Sequence, residues 1–367
     1  MSSFTLPEFR PPDFTRPPLN DAPTVVFRRV KKRGVAPEDY HATSIYPEYF
    51  QVSRGQWLLP ADSRMDCVVV LEENDTLSVK EFRRLNVGDA VACGRRENGE
   101  DGIYVYAGAF GWENRIAEKF AFRTHVSRET SFSFDYDELY RLLEFERENG
   151  FVLWVLGPAV AFDKDAREAM AGMVNEGYVH GLLAGNALAT HDIEASLFGT
   201  ALGQDIYSKR HASLSHYKHI DAINRIRGIG SIEAAVQAGT IQDGIMRAIV
   251  DHSIPYVLAG SIRDDGPLPG VIADTYEAQD KMRALARKTT TVIAMATQLH
   301  SIATGNMIPS YRVMPGGLVR PVYFFTIDMS EFAVNKLANR GSLTARSILT
   351  NTQDFVVNLH RKLKKQS

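Results

Sequence analysis

Two adjacent carboxylates, Asp264 and Asp265, stand four residues past the apolar run Tyr256-Val-Leu-Ala259, with Gly260-Ser261-Ile-Arg263 between. The run has the length and the β-branched and aromatic content of a buried strand. Gly266, Pro267, Pro269 and Gly270 forbid an immediate helix after it. In an open α/β sheet, ligands sit in the crevice beyond the carboxyl ends of the strands. A carboxylate pair placed there is costly to desolvate unless a cation or hydrogen-bond donors meet it. Taken alone, Asp-Asp-Gly is more often an exposed turn. The same strand-then-polar design recurs four more times after residue 150, and the repetition favours a site.

Other residues carry chemistry near these strand ends. His211, His216 and His219 cluster in one stretch, and His216 and His219 are spaced to share a helix face. No Glu or Cys completes a zinc pattern beside them, so no metal is expected. Asn224, Arg225 and Arg227 follow on a helix, either to bind a carboxylate or as a solvated face. His191-Asp192 and His300-Ser301 sit just past strand ends, as proton carriers or as capping groups.

What must position these groups is a sheet. From residue 133 the text alternates helix and strand, opening with an acidic amphipathic helix over 136–148. Five strands are expected: 151–156 ending in Gly157-Pro158-Ala159, 181–184 ending in Gly185-Asn186-Ala187, 256–259, 291–296, and 322–327 ending in Asp328. The fourth runs into Thr297-Gln298, with a Gly305-Asn306 turn beyond. Helical spacers between them argue for a parallel, doubly wound sheet. Small residues at 157–159 and 185–187 let backbone N–H groups approach a pyrophosphate. Asp328 closes an apolar strand, as an acid that binds ribose hydroxyls does. No Gly-x-Gly-x-x-Gly follows any strand. The competing reading gives each glycine a turn and Asp328 a helix cap.

Upstream, residues 25–132 read as a β-rich, barrel-like or sandwich domain, and 133–367 as the Rossmann-like α/β domain. Residues 1–24 form a Pro-rich extended arm, expected either to wrap a neighbour or to stay unstructured. The basic knot Arg28, Arg29, Lys31, Lys32 and Arg33 lacks interleaved aromatics and reads as a solvated face. The 367 residues are 44% hydrophobic with net charge −2, so no global basic field recruits nucleic acid or membrane. Two cysteines make no disulfide framework, no apolar stretch reaches membrane-spanning length, and no targeting peptide is read at the start. The cytoplasm is the expected compartment.

Five segments come in a shared family order: Gly157-Pro-Ala-Val160, Leu183-Ala-Gly-Asn-Ala-Leu-Ala-Thr-His-Asp-Ile-Glu194, His219-x-x-Ala-Ile-Asn-Arg-Ile-Arg227, Leu258-Ala-Gly-Ser-Ile-Arg-Asp-Asp-Gly-Pro-Leu-Pro269 and Leu299-His-Ser-Ile-Ala-Thr-Gly-Asn-Met-Ile-Pro309. They resemble the archaeal-type ornithine cyclodeaminases, a LOR/SDH-like unit that also forms the C-terminal part of bifunctional arginine dihydrolase/ornithine cyclodeaminases. The resemblance covers roughly residues 35–360, with the arginine-hydrolysing domain missing. It implies bound NAD and conversion of L-ornithine, or a related diamino acid, to L-proline or its analogue and ammonia by internal hydride transfer. Asp264, Asp265 and His219 are then the expected catalytic groups. Gly157, Pro158, Asn186, Ala187, Ser261, Thr297, His300, Asn306 and Asp328 are expected at the cofactor, and Asn224, Arg227 and Arg263 at the substrate. The alternatives are an NAD-dependent amino-acid or opine-type dehydrogenase and a catalytically silent NAD-binding partner protein. A homo-oligomer of even order is expected. The chain departs from the family text at Ala161-Phe-Asp-Lys-Asp165 and at 124–134, and adds the arm and an insert at 310–321.

Overall fold

The computed structural model describes residues 4–111, 132–210, 213–330 and 342–364. The 124–131 part of the departing segment and His211 lie outside them. The first part of the chain is antiparallel, as its short runs between turn residues require. Strands β1 (Val26–Arg29), β5 (Val68–Leu71), β6 (Leu77–Lys80) and β7 (Ala90–Cys93) form one sheet in the order β1-β7-β5-β6. A second joins β2 (Glu48–Ser53), β3 (Gln56–Leu58) and β8 (Ile103–Val105) in the order β3-β2-β8. Cys67 and Cys93 are buried thiols within this β-rich part.

Strands β9 (Val152–Leu156), β10 (Gly181–Gly185), β13 (Tyr256–Ala259), β14 (Thr291–Met295), β17 (Tyr323–Asp328) and β18 (Thr344–Leu349) build the main sheet. Every neighbouring pair is parallel, in the order β13-β10-β9-β14-β17-β18. Counted along the chain this reads 3-2-1-4-5-6, the Rossmann order. Five of the six match the expected strands. The sixth, Thr344-Ala-Arg-Ser-Ile-Leu349, escaped the sequence reading because an edge strand carrying Arg346 and Ser347 lacks the continuous apolar run of a central one.

Side-chain alternation sends the sheet's apolar residues into two cores. On one face Trp154, Leu156, Leu182, Ile293 and Phe325 pack against helices α1 (Phe132–Asn149), α2 (Lys164–Asn175), α3 (Asn186–Phe198), α6 (Ile245–Asp251) and α9 (Thr352–Lys364). On the other, Leu153, Val155, Leu183 and Phe324 meet α7 (Thr275–Ala286) and α8 (Gln298–Met307). Between α3 and α6 lie the small hairpin β11 (Thr200–Ala201) and β12 (Gln204–Asp205), then α4 (Ser215–Ile229) and α5 (Ile232–Gln237).

The insert at 310–321 is a hairpin of β15 (Tyr311–Val313) and β16 (Val319–Pro321), and β15 pairs with β4 (Asp62–Ser63) of the β-rich part. The two parts are thereby joined by sheet hydrogen bonds. Arg320 of β16 is buried against Glu146 of α1, whose carboxylate also accepts from Thr290 and Thr291 hydroxyls at 2.8 Å each. A second seam pairs Glu81 with Arg64 and Arg283, and Asp280 with Arg83 and Arg84.

The described part of the Pro-rich arm lies against its own chain. Phe14 stacks on Trp57 at 5.0 Å, Phe9 meets Phe110 at 5.3 Å, and Phe4 meets Phe145 and Tyr323 at 5.7 and 5.9 Å. An aromatic every fifth residue gives the extended segment its anchors, and these outweigh the lack of a core of its own.

Candidate functional site

The crevice opens at the carboxyl ends of β9 and β14, where the strand order reverses. Gly157 follows β9, and its N–H donates to Met295 O at 2.9 Å. A Cβ at Gly157 would stand 1.8 Å from Ala296 O, and Ala296 is itself in the left-handed region at φ 57°. Two backbones cross there with no room for a side chain. Gly157→Ala is expected to cost about 1–3 kcal/mol of stability. Thermal melts measure this, and an unchanged midpoint would show that the crossing relaxes freely.

Four helices start near these strand ends, and they differ at their N-termini. Asp163 caps α2 by accepting from Ala166 N–H at 3.1 Å, and Asp274 caps α7 by accepting from Glu277 N–H at 2.8 Å. Helices α3 and α8, which follow Gly185 and Thr297, have no side-chain cap. Their first-turn N–H groups are therefore open to an anion, and the helix dipole favours one. Asn186 and Ala187 lie in the first turn of α3. Pro158 opens a short 3-10 turn, Pro158–Ala161, directly after Gly157. An uncapped α3, an uncapped α8 and a glycine crossing between them fit a dinucleotide.

Asn186 ties two strand ends together. Its Oδ1 accepts from Leu268 N–H at 3.1 Å and Thr190 Oγ1 at 3.2 Å, and its Nδ2 donates to Asp264 Oδ1 at 3.4 Å. Asp264 Oδ2 accepts from Ser261 N–H at 2.8 Å, and Ser261 Oγ accepts from Arg263 N–H at 3.2 Å. His300 crosses over to Gly185, where a Cβ would come within 2.9 Å of its Cε1. Its Nδ1 lies 3.3 Å from Thr297 Oγ1. Burial pushes the His300 imidazole below its ordinary pKa, outweighing the pull of Asp264, so it is neutral at pH 7. Asp265 and Arg263, by contrast, are exposed. Arg227 reaches the same loop from α4, its Nη1 3.1 Å from the place a Cβ on Gly266 would take. Asn224 lies exposed one turn earlier on α4.

His219 is eight positions before Arg227 on α4, about 12 Å along the helix, and its ring lies 6.4 Å from that of His191. Two expected residues sit elsewhere. Asn306 is not in a turn. It lies within α8, nine positions from Thr297 and about 13 Å away, with its carbonyl accepting from Arg64. The Gly305-Asn306 pair reads as a turn from its composition, but helix packing against the sheet overrides that preference. Asp328 ends β17, the fifth strand, with Oδ1 accepting from Ser330 N–H at 2.9 Å. The usual ribose acid follows the second strand of this fold, and there the chain has Gly185-Asn186. Asp328 therefore belongs to the opposite mononucleotide half.

Asp192 proves to be a structural anchor. Fully buried, it accepts from Arg167 Nε at 2.7 Å and from Ile245 and Met246 N–H at 3.0 and 2.7 Å, capping α6. The sequence reading missed Glu194, which binds His191 Nδ1 at 2.9 Å. Their three-residue spacing on a helix was the available signal. Among the described residues no group of three or more His, Cys, Asp or Glu side chains is arranged to hold a metal. No described helix is long and apolar enough to cross a membrane.

These features define a Rossmann-type α/β protein with antiparallel sheets in its N-terminal part. Residues 139–359 match the family described as arginine dihydrolase ArgZ-like, C-terminal, Rossmann fold. The ornithine cyclodeaminase of Methanopyrus kandleri is 37% identical over 342 residues, 90% of this chain and 76% of that protein. The crystal structure of a conserved putative LOR/SDH protein from Methanococcus maripaludis S2 superposes with a TM-score of 0.80 at 33% identity, over 95% of this chain and 98% of the other. The ternary complex of AgrE with ornithine and NAD+ gives a TM-score of 0.58 at 30% identity, over 95% of this chain and 47% of AgrE. The chain belongs to the archaeal-type ornithine cyclodeaminase family, which includes the C-terminal Rossmann regions of ArgZ-like proteins.

Proposed function

We propose that this chain is an NAD-dependent ornithine cyclodeaminase, converting L-ornithine to L-proline and ammonia. The observation that carries the reading is the exposed Asp265 carboxylate on a loop whose other acid, Asp264, is already held by Ser261 and Asn186. An exposed carboxylate at the rim of a dinucleotide crevice is suited to an ammonium group. Support also comes from the family and from the ornithine and NAD+ bound to the related AgrE. NAD held there would supply a hydride acceptor, and then donor, for the substrate's α-carbon.

The protein's own groups do the rest. The first turns of α3 and α8, with the Gly157-Pro158 turn between them, receive the pyrophosphate. Ser261, Thr297 and neutral His300 line its path, and Asp328 receives hydroxyls of the second ribose. Asp265 holds the δ-ammonium, while Arg227, Arg263 and Asn224 meet the substrate carboxylate. His219 carries a proton between the amines.

Purified protein supplied with ornithine and NAD is expected to release ammonia and proline in equal amounts, with no net rise in absorbance at the reduced-nicotinamide band. Accumulating NADH would instead identify a dehydrogenase, and neither signal would leave a binding protein.

A further inference from the structure

We propose that Glu194, His191 and His219 form a proton relay, in which the Glu194–His191 pair stores the proton that His219 exchanges with the substrate. The proposal rests on the ornithine reading and deepens it.

Glu194 is fully buried, yet both of its oxygens are occupied. Oε1 accepts from Thr200 Oγ1 at 2.9 Å and Gly203 N–H at 3.0 Å, and Oε2 accepts from Leu202 N–H at 3.1 Å. The fourth partner is His191 Nδ1 at 2.9 Å. Burial alone would raise this carboxyl, but the bonds from His191, Gly203 and Thr200 outweigh it and hold it below its ordinary pKa. An ionised carboxylate only accepts, so His191 Nδ1 must carry the hydrogen and Nε2 is left with the lone pair.

Leu202 and Gly203 are the two central residues of the β11–β12 hairpin, at φ 51° and 71°, the left-handed pair that a two-residue hairpin turn takes. The turn presents both N–H groups to Glu194.

His191 is buried, its ring edge-on to Phe162 at 5.2 Å and 6.4 Å from the ring of His219. The groups facing His191 are Glu194 on its own helix, His219 from α4, Thr200 and the two amides from the β11–β12 turn, and Phe162 from the loop after β9. Asp163 beside Phe162 is paired with Lys209, and Asp192 beside His191 with Arg167.

The chemistry asks for such a store. Ornithine enters as a cation with two ammonium groups, and proline leaves neutral beside an ammonium ion, so no proton is gained or lost overall. The δ-ammonium must nevertheless shed a proton before its nitrogen bonds to the α-carbon, and the departing α-nitrogen must collect one as its bond to that carbon breaks. The proton therefore waits on the protein between the two events. An imidazolium backed by a buried carboxylate holds it.

The test uses the full chain with NAD and ornithine. Glu194→Gln and His191→Gln are expected to lower kcat about 100-fold with KM and NAD affinity within about twofold. Glu194→Gln acts by offering an N–H to Nδ1 and reversing the His191 tautomer, the effect known for an amide in place of a triad carboxylate. In His191→Ala, added imidazole is expected to restore rate. Undiminished kcat, or a loss that tracks NAD affinity and resists imidazole, overturns the relay. Nitrogen-15 NMR separates this from failure of the ornithine reading. The relay requires a His191 Nδ1–H tautomer and a titration coupled to His219, which becomes simple in His219→Gln. Independent titration overturns the relay even where ornithine is consumed. Coupled titration in a chain that does not consume ornithine overturns the reaction and leaves the relay standing.

Discussion

Asp265→Asn is expected to slow ammonia release from ornithine by about two to four orders of magnitude while NAD affinity and thermal midpoint stay unchanged. The residue follows β13 on the loop that Arg227 approaches, and its side chain is exposed. The substitution keeps the size and removes the charge, so it cancels attraction for an ammonium group without opening a cavity. Asp264→Asn differs in kind. Asp264 closes the loop through Ser261 N–H and faces Asn186 Nδ2, and an amide at that position cannot accept from both through two oxygens. Its loss of turnover is therefore expected to come with a lower melting temperature. Ammonia release by Asp265→Asn at the parent rate would make that carboxylate a solvated turn residue.

Glu146→Ala is expected to destabilise the fold by about 3–5 kcal/mol. The truncation leaves Arg320 buried and unpaired at 1% exposure, and strips the Thr290 and Thr291 hydroxyls of their acceptor. Since Arg320 belongs to the hairpin that pairs with β4, the damage falls where the β-rich and Rossmann parts are joined. The paired replacement Glu146→Leu with Arg320→Met is expected to recover most of the loss, because it removes both buried charges together. Denaturant unfolding of the three variants measures this. A single variant as stable as the parent would show that water reaches Arg320.

Much of the site's scaffold was legible in the chain. Central strands of a parallel sheet are buried on both faces, so Val152–Leu156, Thr291–Met295 and Tyr323–Asp328 stand out as apolar runs whose ends can be counted. Each run ends in small or polar residues, and that marked the crevice before the order of strands was known. The family motifs placed Asn186, Asp264 and Asp265 at those ends. His191 and Glu194 also stood in a quoted motif at helical spacing, but the Leu202 and Gly203 amides that complete the carboxylate's shell come from a hairpin turn eight residues further on, which that spacing does not announce.

What only the tertiary structure decided were the relations between strand ends. A strand's text fixes that it is buried but not which neighbours it takes, because any two apolar strands bury similar area. Asp328 read as a ribose acid until the order 3-2-1-4-5-6 put β17 across the switch point from β10. Asn306 read as a loop residue until α8 carried it a helix length from the crevice. The Pro-rich arm read as wrapping a neighbour or staying unstructured, since its partners Trp57, Phe110 and Tyr323 lie in distant parts of the sequence. Local chemistry is written residue by residue, and the chain alone determined it. Which residues share one crevice depends on non-local packing, in which the free energy belongs to the whole arrangement and to no single segment.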